Sequence, residues 1–412
     1  MTRRDLLASG VAAGALSLAS WAAWAAAPEL KPITGGIVPI GRAERAARLG
    51  KARAIMRAND IGAILIEPGA SMVYFTGVRW HRSERLTAAI LPVEGDPCIV
   101  TPFFEEPSVR ETLGVPAEVR VWQEDESPIA QVAAFLKSRK LDRSAIGIEE
   151  TVRFFASDGL AAALSNARIV SANPVVRGCR MIKTSAEIAL MKAASDVTIA
   201  AYAHAIPLIE AGMTPADIGG MIDAATVALG GSPEFALVLL GEASAYPHGS
   251  GQPQHVRPHE IVLMDCGCTV DGYQSDISRT VAFGGATAEQ RKVFGEVQQG
   301  QRIALAAAKL GAPAGSVDDA VRRSYEGLGY GPRYRLPGLS HRTGHGIGMD
   351  GHEPVNLVHG ETTRLAPGMC FSNEPGIYIP GKFGVRLEDC FHMTAGGPMW
   401  FSEPQRSIEW AG

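Results

Sequence analysis

Hydrophobic positions along the chain fall into two regimes. Between residues 42 and 172, short apolar runs alternate with stretches of helical spacing. RAERAARLGKARAIMRAND sets Leu49, Ala52, Ile55 and Met56 on one helical face and stops at Asn59-Asp60. GAILIE, SMVYFTG, LTAAILPV, PCIVTP and AIGIE have the length and the β-branched or aromatic content of strands. SPIAQVAAFLKSRK and VRFFASDGLAAAL read as helices on either side of AIGIE. Strands alternating with helices predict an α/β domain over 42–172.

The pattern changes over 173–412. Thr184 or Ser185 can cap a helix that has Glu187 in its first turn and apolar spacing through Ile209. Gly212-Met213-Thr214-Pro215 ends it, and TPADIGGMIDAATVAL begins the next. Strand-like runs IVLMDCG and TVDGYQSDISRTVAF follow. A long helix, AEQRKVFGEVQQGQRIALAAAKL, and a second one after Ser316 lead to CFSNEPGIYI and GVRLEDCFHM. Two helices followed by strands bearing two carboxylates occur over about 185–283 and again over about 287–392. The halves share an order of elements more than letters, and they predict an α+β domain with two half-sites meeting at one cleft.

Composition narrows the class. Hydrophobic residues make up 46% and charged residues 20% of the 412, enough for sizeable cores and too ordered a mix for a disordered chain. A net charge of −4 gives no electrostatic basis for binding nucleic acid or an anionic membrane. Arg3-Arg4, the Ala-rich apolar stretch from Leu6 to Ala26, and Ala23-Trp24-Ala25 before Ala27-Pro28 form an export signal over 1–27. The paired arginines suggest the twin-arginine route, with an ordinary Sec signal or an uncleaved anchor as alternatives. The expectation is a periplasmic or secreted protein whose mature form has no stable membrane span. Residues 28–41 are rich in Pro and Gly and read as a linker. The six cysteines are scattered in a chain too large to need disulfide staples. Cys266 and Cys268 share one face of a strand beside Asp265, as buried thiols or, alternatively, as thiolate ligands.

The chemistry lies in acids set within apolar, β-type runs: Asp265, Asp276, Glu374 and Glu388, with His345 between them in the sequence. Burying a charge is costly unless it is paired or bound to metal. Asp265 and Asp276 flank a turn at Asp271-Gly272, and Glu374 and Glu388 flank another at Pro380-Gly381. Cross-strand side chains approach within about 4.5–5.5 Å, close enough to share metal ions. An oxygen-rich set with one imidazole favours Mn²⁺ over a closed zinc site. Two divalent ions acidify a water and polarise a carbonyl, which is hydrolase chemistry.

HGIG around His345, NEPG around Glu374 and VRLED around Glu388 resemble the pita-bread metallopeptidases, a family that includes methionine aminopeptidase, aminopeptidase P, prolidase and the metal-free creatinase. The resemblance covers about 185–405 and extends more loosely to the α/β region, which is similar to a creatinase-type N-terminal domain. It implies a pita-bread catalytic domain over 173–412 holding two divalent ions, most readily Mn²⁺, with Zn²⁺ or Co²⁺ as substitutes. Asp265 would bind one ion, His345 and Glu374 the other, and Asp276 and Glu388 would bridge. Glu374 would also carry a proton, with His248 and His352 stabilising the transition state. His341, Tyr378 and Arg386 would lie on the substrate side, Arg386 alternatively orienting an acid. The intact ligand set disfavours the creatinase branch, and the N-terminal domain disfavours methionine aminopeptidase. The implied reaction is hydrolysis of the Xaa-Pro bond in dipeptides or short peptides, as in prolidases of similar length. The alternatives are an Xaa-Pro aminopeptidase, an amidohydrolase of small non-peptides, and an exported binding protein without catalysis. Clustered Arg79, Trp80, His81, Arg82 and Arg85 form a surface loop or, in the expected homodimer, overhang the partner's site.

Overall fold

The computed structural model describes residues 30–409; the expected export signal lies outside them. The first domain contains α1 (Arg42–Ala58), β1 (Ile61–Ile66), α2 (Ala70–Thr76), β2 (Ala88–Pro92), β3 (Cys98–Pro102), α3 (Glu106–Thr112), β4 (Glu118–Trp122), α4 (Pro128–Ser138), β5 (Ala145–Ile148), α5 (Phe154–Ala163), β6 (Arg168–Ser171) and α6 (Asn173–Arg180). Its sheet runs β4-β3-β2-β1-β5-β6, mixed parallel and antiparallel. Alternation along β1 sends Ile64 and Ile66 to one face, with α1, α2 and α6, and Ala63 and Leu65 to the other, with α4 and α5. This is the α/β sandwich expected from the sequence.

Two local expectations are corrected. SMVYFTG is helix α2 and not a strand. Its aromatic and β-branched residues pack as a helical turn that stops at Gly77, held left-handed at φ 82° and donating to Val73 O. Segment 173–180, assigned from sequence to the second domain, is α6; its Val175, Val176 and Cys179 complete the core of the first. The junction therefore falls at about 181–184.

The second domain contains α7 (Ser185–Ala205), α8 (Pro215–Ala228), β7 (Ser232–Leu240), β8 (Ile261–Val270), β9 (Tyr273–Gln274) and β10 (Ile277–Ala282). After these come α9 (Ala288–Ala307), α10 (Gly315–Gly327), β11 (Gly344–Gly346), β12 (Glu353–Leu357), β13 (Cys370–Asn373), β14 (Gly376–Ile379), β15 (Phe383–Arg386), β16 (Asp389–Thr394) and β17 (Gly397–Trp400). Thr184 and Thr287 cap α7 and α9 in capping boxes with Glu187 and Gln290. The sheets are antiparallel: β10-β8-β7, with β9 on β8, then β12-β11-β13-β16-β17, and the hairpin β14–β15. Each half is a pair of helices and the strands they cover, α7 and α8 in one core and α9 and α10 in another. This is the expected α+β arrangement. Among the described residues no helix is long and apolar enough to cross a membrane.

The stretch read as a linker packs instead. Leu30, Ile37 and Ile40 join the core formed with α7 and α8, Ile33 N donates to Leu229 O at 2.9 Å, and Thr34 Oγ1 donates to Gly230 O at 3.2 Å. Pro and Gly there signal an irregular backbone, while the three aliphatic residues determine where it lies.

The domains are joined by buried charge. Glu353 on β12 accepts from Lys183 Nζ at 2.8 Å and from the Arg180 guanidinium. Burial opposes ionisation of Glu353, but the two cations outweigh it and hold its carboxyl down to about 2. An unfolded glutamate titrates near 4.3, so this stabilisation is complete above that pH and is lost as pH falls towards about 2. Glu353→Gln, which leaves the buried Lys183 ammonium unpaired and Arg180 paired with Asp350 alone, is expected to cost about 3–5 kcal/mol at neutral pH. In urea unfolding, the gap between wild type and variant should shrink as pH drops from about 4.3 towards 2.

Candidate metal centre

The acids converge because the strands carrying them break. Asp265 lies within β8, opposite Ser278 on β10 and Leu237 on β7. Asp271-Gly272, with φ of 48° and 82°, makes the tight hairpin from β8 to β9 that the Asp-Gly pair signals. Asp276 occupies the step between β9 and β10. Glu374 follows the last residue of β13 and precedes Pro375, which cannot extend a ladder; its N–H donates to Thr343 O at 2.9 Å. Glu388 sits between β15 and β16, with its N–H on Ser278 O at 3.2 Å. The runs CFSNEPGIYI and GVRLEDCFHM are thus each two strands, parted at the acid.

All five expected ligands meet. Candidate ligand atoms of Asp276, His345 and Glu388 lie within 4.8 Å of one another. His345 Nε2 is 3.5 Å from both Asp276 Oδ2 and Glu374 Oε1. Its Nδ1 donates to Gly346 O at 3.0 Å, which leaves Nε2 as the free lone pair. Ser278 Oγ is 2.9 Å from both Asp265 Oδ1 and Glu388 Oε2. Arg386 Nη2 pairs with Asp265 Oδ2 at 2.6 Å, and its Nε meets Ser278 Oγ at 2.9 Å.

Electrostatics show what the cluster lacks. Burial, then neighbouring acids, push the Glu388 carboxyl well above the usual range, and burial pushes Glu374 up to about 7. Burial also raises Asp276. Burial disfavours charge on His345, yet Asp276 and Glu374 together raise its pKa. Glu388 Oε1 is buried with no hydrogen-bond partner. An orphaned carboxylate oxygen beside a bare imidazole nitrogen and further acids fits divalent cations.

Around this cage stand three imidazoles. His352 stacks near His345, with ring centroids 4.2 Å apart, and is solvent-exposed. His341 Nδ1 donates to Arg342 O at 2.7 Å, so its Nε2 accepts from Tyr378 OH, also at 2.7 Å. Burial, then Arg386, push its pKa down to about 3, and burial holds His352 at about 4. His248 follows Pro247, whose carbonyl accepts from Arg386 Nη1 at 3.1 Å.

Two residues expected on the substrate side lie deeper, Arg386 in its alternative role. Tyr378 is fully buried and supports His341 from behind. Arg386 is 3% exposed and engaged with Asp265, so it orients that acid. The thiolate alternative also fails, because Cys266 and Cys268 point to the face of β8 opposite Asp265, into the α7–α8 core. Arg79 and Arg85 of the basic cluster pair with Asp271 and Glu124.

Sequence reading missed three residues here. Ser278, two positions after Asp276, ties Asp265, Glu388 and Arg386 together. Arg279 forms a buried pair with Asp389 at 2.7 Å beside Glu388; the SDISRT and LEDC runs carried that signal as an uncounted Arg and Asp. Arg342 donates to Asn356 Oδ1 at 3.1 Å. Asn356 faces His345 across the β11–β12 ladder, so this guanidinium lies on the cage side of the hairpin.

Residues 189–395 match metallopeptidase family M24, and residues 48–182 match the creatinase/prolidase N-terminal domain. This chain belongs to metallopeptidase family M24. A probable dipeptidase PepE of Mycobacterium tuberculosis is 33% identical over 357 residues, covering 85% of this chain and 92% of that protein. An Xaa-Pro dipeptidase of Lactobacillus helveticus is 33% identical over 358 residues, covering 85% and 95%. Among solved structures, dipeptidase PepE from Mycobacterium ulcerans superposes with a TM-score of 0.81 at 32% identity, covering 90% of this chain and 98% of that one. A prolidase from Thermococcus sibiricus also gives 0.81, at 29% identity, covering 88% and 98%. The M24 cage binds divalent metal ions, and the clustered donors here suit that role.

Asp276→Ala and Glu388→Ala are each expected to lose bound metal and peptidase activity together. Elemental analysis checks this: two ions per chain retained in either variant would rule out its place in the cage.

Proposed function

We propose that this metallopeptidase hydrolyses the Xaa-Pro bond of dipeptides with two Mn²⁺ ions. The oxygen-rich donor set around one imidazole supports Mn²⁺ over zinc. Asp265 would hold one ion and His345 and Glu374 the other, with Asp276 and Glu388 shared; the 3.5 Å approaches of Asp276 and Glu374 to His345 Nε2 suit the grouping of these three. Bound, the ions supply an acidified water and a polarised scissile carbonyl.

The side chains do the rest. Glu374 takes a proton at a carboxylate oxygen and passes it to the proline nitrogen as the bond breaks. His248 and His352 hold the oxyanion of the tetrahedral intermediate by hydrogen bonds. The proline nitrogen is tertiary in the peptide and has no hydrogen to donate, so its ring is read by shape. His341, the partly exposed member of the His341–Tyr378 pair, is placed to do that.

One observation favours dipeptides over longer peptides. Among the described residues, the one side chain bonded to the Arg342 guanidinium is the neutral Asn356. A half-buried cation on the cage side suits the free C-terminal carboxylate that a dipeptide presents within one residue of the scissile bond. We also read residues 1–27 as a twin-arginine signal that delivers the enzyme to the periplasm. The Arg3-Arg4 pair and the apolar stretch after it support this, and a homodimer is part of the same reading.

With Mn²⁺-loaded protein, extending Xaa-Pro by one residue is expected to lower kcat/KM at least tenfold, about 1.4 kcal/mol. Arg342→Gln is expected to raise KM for the dipeptide about tenfold and leave kcat near wild type, loss of a charge-assisted contact made equally in ground and transition states. Equal or faster cleavage of the tripeptide would identify an Xaa-Pro aminopeptidase. No cleavage of any proline peptide would leave a small-molecule amidohydrolase, or a binding protein if nothing is turned over.

A further inference from the structure

Besides the Arg180–Glu353 contact at β12, the N-terminal domain meets the acid-bearing strands at the β8–β9 hairpin. The Asp271-Gly272 turn lies between two of the acids, Asp265 on β8 and Asp276 just beyond β9. Asp271 receives Ile40 N at 3.0 Å and Arg79 Nη2 at 2.8 Å. Tyr273 OH receives Arg48 Nη2 at 2.7 Å and donates to Glu187 Oε1 at 2.8 Å. Arg48 belongs to α1; it donates to Tyr74 O at 3.1 Å, lies 4.0 Å over the Tyr74 ring and pairs with Glu187 at 3.3 Å. Arg48 is 4% exposed and Tyr273 and Glu187 1% each, so every polar group in this set depends on the others.

β9 is only two residues long and pairs with β8 at Thr269–Gln274 and Val270–Tyr273. Ser275 continues the contact, its N–H donating to Cys268 O at 3.0 Å and its Oγ accepting from Cys268 N at 3.1 Å, and Asp276 follows it directly. Gln274 N bonds to Gly348 O at 2.8 Å, in the loop between His345 and His352. The buried phenol is thus one of two anchors ahead of Asp276, the other being Ser275, held by Cys268 of β8 and by Thr198.

We propose that Arg48 is a positioning residue for Asp276, acting from the N-terminal domain through Tyr273 to set the cation affinity of the cage. The proposal rests on the reading of Asp276 as a ligand. It gives the first domain a part in metal binding: α1 and the catalytic hairpin share one buried polar cluster, and the acid is placed only when that cluster is complete.

The test uses the full chain, freed of metal and titrated with Mn²⁺ by calorimetry, with hydrogen exchange of amides 270–276 followed in parallel. Tyr273→Phe removes one oxygen and keeps the ring. Arg48→Met removes the cation, and Arg48→Lys keeps the charge. Arg153→Met is the control, because it breaks the Arg153–Glu67 pair inside the N-terminal domain, with no contact to the cage. Tyr273→Phe and Arg48→Met should each weaken Mn²⁺ binding about tenfold, the range for groups that support a ligand from behind. The double variant should be no worse than the poorer single one, and Arg48→Lys should recover part of the loss. Excess Mn²⁺ should restore kcat with KM unchanged, and exchange should quicken at 270–276. Arg153→Met should lower the melting temperature and leave affinity alone. Mn²⁺ affinity within twofold of wild type in Tyr273→Phe would overturn the proposal, as would an equal loss in Arg153→Met. Wild-type affinity in Asp276→Ala would overturn the ligand reading, and this proposal with it.

Discussion

Four carboxylates are packed into one poorly hydrated space, and the second domain is arranged around that repulsion. Protein charge answers part of it. Arg386 is committed to Asp265, and His345 stands between Asp276 and Glu374. Arg279 is taken up by Asp389 and by the main-chain carbonyl of Glu388, and does not reach the Glu388 carboxylate. Glu388 is left with the Ser278 hydroxyl on one oxygen and no partner on the other. In the absence of cations the cluster can lower its energy only by binding protons, which is why burial drives its acids upward. Divalent ions would take the place of protons on Asp276, Glu374 and Glu388.

Regular strands could not deliver this geometry. Side chains on a continuous ladder alternate between faces at fixed spacing, so acids from four strands would line up and not converge. Here Asp276, Glu374 and Glu388 each sit where one strand ends and another begins, and only Asp265 occupies an ordinary ladder position. At each break the backbone is fastened elsewhere. Glu374 N–H reaches Thr343 O beside β11 of its own sheet, and Glu388 N–H reaches Ser278 O on β10, which stitches the two sheets together at Glu388.

Much of this was legible in the chain. Acids inside apolar runs marked the cage, and the Asp271-Gly272 pair fixed the hairpin between two of them. Helical spacing located α1 and α7 to α10 closely. Other features were hidden for physical reasons. SMVYFTG has strand-like letters, and its helical form depends on packing against the sheet and on Gly77. The depth of Tyr378 and Arg386 was not legible because spacing shows which face a residue takes and not how deep it lies. Tyr378 and Arg386 are on the right face, but a layer behind the surface that meets solvent. Arg342 went unnoticed because a lone arginine has no pattern; only its lack of an acidic neighbour makes it informative.

The packed segment before α1 changes how the first domain should be regarded. Residues 30–40 lie on the second domain, the chain then builds the entire α/β sandwich, and it returns through Lys183 and Thr184 to the second domain. In topological terms the sandwich is an insertion, tethered to its host at both ends and not at one. It cannot swing away on a single hinge, and opening it requires breaking two anchorages at once. Such a domain should melt with its host in one cooperative step.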